Sequence, residues 1–124
     1  MKRYLGRFSE PAYAALRVVA GLLFAVHGAQ KLFGVLGGQP PPVLSQFWIG
    51  GVIELVGGLL VAVGLFASWA AFVASGEMAV AYFQVHAPKS FWPVQNGGEL
   101  AVVYCFLFLY VACRGAGKLA VKPD

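Results

Sequence analysis

Three of the chain's five acidic residues lie inside apolar runs, where charged side chains are rare. Glu54 lies in GGVIELVGGLL, Glu77 in GEMAVAYF and Glu99 in GELAVVYC, and two bases, His27 and Lys31, lie in an earlier apolar run. A carboxyl group or an imidazole in such surroundings can carry a proton, hydrogen-bond a polar ligand or pair with an opposite charge. These residues therefore predict proton transfer or the binding of a polar group within an apolar environment.

The composition indicates what that environment is. The 124 residues are 60% hydrophobic and only 11% charged, whereas soluble domains are roughly 45–50% apolar and about 25% charged. Too few polar residues remain to cover a soluble fold, so we expect one multipass domain, residues 1–124, in an inner or plasma membrane with the lipid bilayer as its partner. The basic residues lie mostly at the two chain ends and form no run with aromatic residues, which argues against nucleic-acid binding.

Four apolar segments are long enough to cross the hydrocarbon core, which takes about 20 helical residues. No segment shows the two-residue alternation of a strand, so the expected fold is all-α, a bundle of four transmembrane helices. The first helix ends before GVLGGQPPP, the third before Pro88, and Asn96 is a candidate N-cap for the fourth with Glu99 as its reciprocal acid. The expected helices cover about residues 12–33, 47–66, 68–86 and 96–114.

The distribution of Lys and Arg predicts the orientation, because short cytoplasmic flanks carry an excess of these residues. Most basic residues lie before the first expected helix or at and after the end of the last, namely Lys2, Arg3, Arg7, Arg114, Lys118 and Lys122. Only Lys31 and Lys89 lie near the opposite membrane face. We therefore expect both termini to be cytoplasmic.

Helix geometry brings the ionisable residues toward one end of this bundle. At about 1.5 Å per residue, Lys31, His27, Glu54 and Glu77 lie about 3–14 Å below the outer ends of their helices. An unpaired charge at the centre of a bilayer costs at least about 2.5–3.5 kcal/mol. We therefore expect Glu54 to pair with Lys31 or His27, and the deeper Glu77 to hold a proton part of the time near neutral pH. Arg17 is the exception, near the inner boundary.

These positions give two sets of candidate site residues. The catalytic candidates are Glu54, Glu77 and His27, as proton carriers. The ligand-binding candidates have charged or aromatic side chains near the same region or at a membrane boundary, and they are Arg17, Lys31, Glu99, Tyr82 and Trp92. Other interpretations stay open: Glu54 and Glu77 can be structural contacts between helices, Glu99 a cap, and Arg17 a side chain that extends to the cytoplasmic surface.

The sequence resembles the DoxX family of small bacterial membrane proteins over nearly its whole length. The similarity is carried by RVVAGLLFAVHGAQKLFG at residues 17–34, ELVGGLLVAVGLF at 54–66, and GEMAVAYFQVHAPKSFWPVQNGGELAVVYCFLFL at 76–109. The resemblance implies a four-helix protein of the bacterial cytoplasmic (inner) membrane. The family takes its name from a relative of the small subunit of archaeal thiosulfate:quinone oxidoreductase. Many members are described as oxidoreductases without an established reaction, so no catalytic motif is carried over residue by residue.

The expected function is an integral-membrane oxidoreductase component that acts with the quinone pool or a redox partner subunit. The chain has no CxxCH and no flavin or nucleotide fingerprint, and Cys105 and Cys113 are about 12 Å apart along a helix, too far for a disulfide. We therefore expect no covalently bound cofactor and no metal site, and we expect a diffusible quinone. Two alternatives stay open: a non-enzymatic scaffold for a soluble redox partner, and a small proton-coupled transporter that needs a homo-oligomer for a complete route.

Overall fold

The computed structural model describes all 124 residues and contains helices and loops but no strands. The α-helices are α1 (Lys2–Leu5), α2 (Ser9–Phe33), α3 (Gln46–Val63), α4 (Ala67–Ala81), α5 (Pro93–Asn96) and α6 (Glu99–Arg114). A short 3-10 helix, Gly6–Phe8, joins α1 to α2, and a π-helical segment, Tyr82–His86, extends α4. The prediction of an all-helical fold is confirmed.

Local sequence explains where α2 and α3 begin and end. Ser45 precedes α3, and its hydroxyl accepts a hydrogen bond from Trp48 N at 3.3 Å, which satisfies one of the free N–H groups of the first turn. Gly34 ends α2 and Gly64 ends α3, both with a left-handed backbone at φ 70° and 74°. Glycine adopts this conformation without a steric cost, so α3 ends at Val63 rather than near residue 66.

Asn96 does not act as the expected N-cap of the last helix. That helix begins at Glu99 and is preceded by Gly98. The buried Asn96 Oδ1 accepts from Gly98 N at 2.8 Å, and its Nδ2 donates to Tyr82 Oη at 3.1 Å and to Ser90 O at 3.0 Å. Asn96 therefore ties the loop to the start of the π-helical segment, and Glu99 is exposed in the first turn of α6.

Glycines let α2 and α3 approach until their backbones touch. A Cβ placed on Gly21 would lie 2.6 Å from both Ala62 N and Gly58 O. A Cβ placed on Gly58 would lie 2.5 Å from both Ala25 N and Gly21 O. Small residues permit such close contact between helices in lipid, so α2 and α3 form one tightly packed pair.

Gly58→Ala is therefore expected to destabilise the protein by about 1–3 kcal/mol, the usual cost of overpacking. The matched control is Gly76→Ala on α4, where no atom lies within 4 Å of the added Cβ. The control should be neutral or stabilise by up to about 1 kcal/mol, because alanine is the better helix former. Thermal unfolding of both purified variants in one detergent measures the difference, and equal stabilities would contradict the close α2–α3 contact.

The other pair, α4 and α6, is joined to the first by aromatic rings. Ser75 on α4 donates a hydrogen bond to Cys105 O on α6 at 2.7 Å. Phe24 on α2 contacts α6, with ring centroids 4.7 Å from Phe108 and 5.3 Å from Tyr104. These three rings are buried, and they form a layer between the two ends of the bundle.

One end of the bundle is closed by residues 115–124, here called the C-terminal strap. The strap follows α6 and turns back across the connection between α3 and α4. Val121 N donates to Val63 O at 3.0 Å, and Lys122 N donates to Gly64 O at 2.7 Å. Backbone groups left free at the end of α3 are thereby satisfied by the chain's own last residues.

Arg17 lies beneath the strap and does not extend to the surface. Its side chain is fully buried. Nη1 donates to Val61 O at 3.2 Å and Ala62 O at 3.4 Å, and Nη2 donates to Lys118 O at 3.1 Å and Leu119 O at 2.5 Å. Arg17 therefore links the last turn of α3 to the strap.

The outward faces of the four long helices are apolar. Each helix exposes large hydrophobic side chains, for example Leu22, Val56, Phe72 and Phe106. Two helical stretches, Lys2–Phe33 and Gln46–Val63, are long and apolar enough to cross a membrane. Such contiguous apolar surfaces are suited to contact with lipid.

Candidate functional site

A cavity of about 590 Å³, here called the main cavity, lies at the end of the bundle opposite the strap. All four long helices contribute to its wall, and 12 of its 22 lining residues are hydrophobic. The acidic and basic residues on the wall are His27, Lys31, Glu54, Glu77 and His86. Ligand sites are commonly about 300–1,000 Å³ in volume and mostly apolar with a few polar groups, so the main cavity has the properties of a small-molecule site.

Lys31 and Glu54 form an ion pair on the cavity wall. Lys31 lies in the last turn of α2, Glu54 lies on α3, and Lys31 Nζ is 2.6 Å from Glu54 Oε2. The side chain of Glu54 is 1% exposed and that of Lys31 is 36% exposed. The pair expected for Glu54 therefore forms with Lys31, and the lysine is the partner that reaches solvent.

Glu77 on α4 brings a second carboxyl group to the same place. A Cβ placed on Gly50 would lie 3.5 Å from Glu77 Oε2 and 3.9 Å from Glu54 Oε2, so the two carboxyl groups face the same glycine. Glu54 Oε1 and Glu77 Oε1 are both buried and have no hydrogen-bond partner. Because ionised carboxylates only accept hydrogen bonds, these two oxygens can accept from a donor group on a ligand in the cavity.

His27 lies beside the aromatic part of the cavity wall. Its ring is edge-on to Tyr104, with centroids 6.2 Å apart, and both residues line the cavity together with Phe24. His27 is also exposed on the outside of α2. An imidazole that borders both the cavity and the exterior is placed to pass protons between them.

The rim contains polar residues that were not among the sequence candidates. Gln46, at the start of α3, donates a hydrogen bond to Gln84 in the π-helical segment. His86 Nδ1 lies 3.2 Å from Asn96 O, and Tyr104 lies deeper on the wall. A phenol inside an apolar helix was the available signal for Tyr104. The glutamines gave none, because polar residues at helix ends are ordinary.

Four of the sequence candidates lie outside the main cavity. Arg17 lies under the strap at the other end of the bundle, and Glu99 is exposed at the start of α6. Tyr82 lies next to a lining residue, with its ring centroid 6.3 Å from that of His86. Trp92 is exposed in the loop before α5. The cavity therefore brings together the three catalytic candidates and, of the ligand-binding candidates, Lys31.

The assembled site offers one lysine cation, two carboxyl groups and two imidazoles beside apolar space. No group of three or more His, Cys, Asp or Glu side chains is placed to hold a metal ion. The arrangement can accommodate a largely apolar ring, donate a hydrogen bond to it from Lys31, and exchange protons with it through the carboxyl groups.

Comparisons with known proteins identify the family. The sequence model of the DoxX family matches residues 12–87, which include most of α2 and all of α3 and α4. The chain is 42% identical over 115 residues to an uncharacterized protein of Haemophilus influenzae, an alignment that covers 87% of this chain and 86% of the relative. No solved structure matches the chain at a significant level. The chain is therefore a membrane protein of the DoxX family.

Proposed function

We propose that this protein is a quinone-binding oxidoreductase component of the bacterial inner membrane, acting with the quinone pool or a redox partner subunit. The observation that carries the proposal is the position of His27, Lys31, Glu54 and Glu77 on the wall of one mostly apolar cavity. A quinone needs apolar walls for its ring, donors for its carbonyl oxygens and groups that exchange protons. The main cavity offers all three.

The proposal includes four membrane-spanning helices with both termini in the cytoplasm. The helix α4 has 15 residues and the π-helical segment adds 5, which matches the about 20 residues that cross a bilayer core. The 16 residues of α6 are supplemented by the short α5 before it. The basic residues concentrated at the strap end support a cytoplasmic location for that end. The main cavity then opens in the outer half of the bilayer.

The residues of the main cavity fit a quinone ring. The ammonium group of Lys31 has three donors and uses one on Glu54, so a carbonyl oxygen can receive another. The ring of Tyr104 offers an aromatic surface. A bound quinone supplies two-electron, two-proton redox chemistry. The carboxyl groups of Glu54 and Glu77 would hold a proton near the ring, and His27 would exchange it with the exterior.

Glu77→Gln is expected to lower the amount of quinone that co-purifies with the protein by about 5–10-fold, which corresponds to one lost hydrogen bond of about 1–1.5 kcal/mol. The measurement is purification with native lipids followed by extraction and mass spectrometry. Glu99→Gln is the matched control, because Glu99 is exposed and outside the cavity, and its quinone content should equal that of the wild type. Unchanged quinone in Glu77→Gln would remove Glu77 from the site, and a wild-type protein without quinone would remove the proposal.

The two alternative functions fit the geometry less well. A pure scaffold needs its buried charges paired within a packed interior, whereas Glu77 Oε1 is buried without a partner beside a cavity. A transporter within one chain needs a route to both membrane faces. Here the buried ring layer of Phe24, Tyr104 and Phe108, and then the strap, lie between the cavity and the opposite end.

A further inference from the structure

A second, smaller space lies beside the main cavity, between the outward faces of α3 and α4. Its volume is about 320 Å³, and eight of its nine lining residues are hydrophobic. The ninth, Gly57, has no side chain. We call this space the side groove, and the lining residues used below are Ile53, Gly57, Leu60, Trp69 and Val73.

The side groove adjoins the main cavity. Ile53 on α3 and Val73 on α4 line both spaces. Ile53 directly precedes Glu54, so the groove begins next to the ion pair. Leu60 and Trp69 line it farther toward the strap end, and Trp69 is 69% exposed on the outer surface. The groove therefore leads from the charged site along the bundle to the surface that faces lipid.

At Gly57 the contact between α3 and α4 leaves room for a Cβ. The nearest atom to a Cβ placed there is Ala70 O, at 3.9 Å. At the next residue, Gly58, a Cβ would lie 2.5 Å from the backbone of α2. The same stretch of α3 is thus packed backbone to backbone against α2 and less closely against α4.

We propose that the side groove holds the isoprenoid tail of a quinone whose ring lies in the main cavity. This inference rests on the proposed function and adds the class of ligand, a membrane quinone with a long apolar tail. Its support is the wall that the two spaces share at Ile53 and Val73, the apolar lining of the groove and its exit toward lipid. A tail gains little hydrophobic free energy by leaving the acyl chains, so its contribution comes from packing against the groove walls.

Other occupants of the groove are disfavoured by the charges at its inner end. A phospholipid phosphate in the main cavity would lie beside Glu54 and Glu77 with Lys31 as the nearby cation, and like charges repel at short distance. A neutral ring avoids this cost. A helix from a second copy of the chain would cover the groove without entering the main cavity, and it would make no use of the wall that the two spaces share.

Two glycine variants separate the tail from the ring. Gly57→Leu fills the side groove, and Gly76→Leu fills the main cavity, which Gly76 lines with no atom within 4 Å of its Cβ position. The full-length proteins are titrated in detergent, by calorimetry, with a menaquinone that has a four-unit isoprenoid tail and with menadione, the same ring without the tail. Each ligand partitions into detergent to the same extent in every titration. The ratio of variant to wild-type affinity therefore measures how the substitution changes binding to the protein. Leu60→Trp replaces Gly57→Leu if the latter does not fold.

Gly57→Leu is expected to lower menaquinone affinity by about tenfold and menadione affinity by less than about threefold, whereas Gly76→Leu lowers both. Unchanged menaquinone affinity in Gly57→Leu, with both ligands bound by the wild type, would overturn the tail groove and leave the proposed function standing. A wild type that binds neither ligand would overturn both. If Gly57→Leu abolishes phospholipid binding or dimer formation and leaves menaquinone affinity unchanged, the groove is assigned to the phospholipid or to the second copy of the chain instead.

Discussion

Arg17→Met is expected to lower the free energy of unfolding by at least about 3 kcal/mol. This is the cost of losing two hydrogen bonds from a charged donor, each counted at the low end of the range for such bonds. Arg17 is 0% exposed and donates to the carbonyl groups of Val61, Ala62, Lys118 and Leu119. After the substitution the two strap carbonyls can turn toward water, but the two at the end of α3 stay covered without a donor. Methionine keeps an apolar stem of similar length, so lost hydrogen bonds dominate over lost volume.

The matched control is Arg7→Met, because Arg7 is exposed near the start of the same helical stretch and its loss should change stability by no more than about 0.5 kcal/mol. Reversible unfolding in mixed micelles measures both variants. Deleting residues 118–124 tests the same link from the other side and should also destabilise, because the hydrogen bonds of Arg17 to Lys118 and Leu119 and those of the strap to Val63 and Gly64 are then lost. If Arg17→Met is as stable as Arg7→Met, the strap and α3 are held together by other contacts.

Lys31→Met is expected to destabilise the protein by about 2–4 kcal/mol, somewhat below the 3–5 kcal/mol typical of a fully buried pair because Lys31 is 36% exposed. The substitution leaves Glu54, which is 1% exposed, without its cation. Glu54→Gln should cost less, because Lys31 can reach solvent and glutamine is neutral. The double variant Lys31→Met with Glu54→Gln should be more stable than Lys31→Met by about 1–2 kcal/mol, because no charge then remains buried at this pair.

The four proteins form a double-mutant cycle that isolates the pairwise free energy. The chain contains its own control pair: Lys118 Nζ lies 3.4 Å from Glu10 Oε2, and both side chains are more than half exposed. The cycle of Lys118→Met and Glu10→Gln should give a coupling of less than about 1 kcal/mol, as exposed pairs do. If the effects of the substitutions at Lys31 and Glu54 are purely additive, the ion pair contributes no coupling free energy. The two residues would then not form one charged site.

Asn96 shows the limit of local rules within the fold. An asparagine followed three residues later by an acid is a good N-cap pattern, yet the side chain of Asn96 hydrogen-bonds Gly98, Tyr82 and Ser90 instead. The pattern correctly predicts that a helix begins close to Asn96. It could not show that a phenol from another helix would compete for the same amide.

The sequence by itself determined the helical class, the family and a short set of unusual residues, because each depends on local chemistry. Apolar runs ended by Gly34 and by Pro88 specify helices wherever their neighbours lie. Residues 17–34 and 54–66 carry enough of the family pattern to be recognised. Glu54 stands out as a carboxyl group in an apolar run, and no knowledge of its partner is needed to see that it requires one.

The tertiary structure decided which groups meet. Glu54 pairs with Lys31 and not with His27 because α2 and α3 are rotated and spaced by their backbone contact at Gly58. The acceptors for Arg17 on the strap are 101 and 102 residues away in the chain, beyond any local pattern. The adjacent glycines 57 and 58 are equivalent as sequence, but they point about 100° apart on the helix. One direction is filled by α2 and the other opens a groove, and only the positions of neighbouring helices distinguish them.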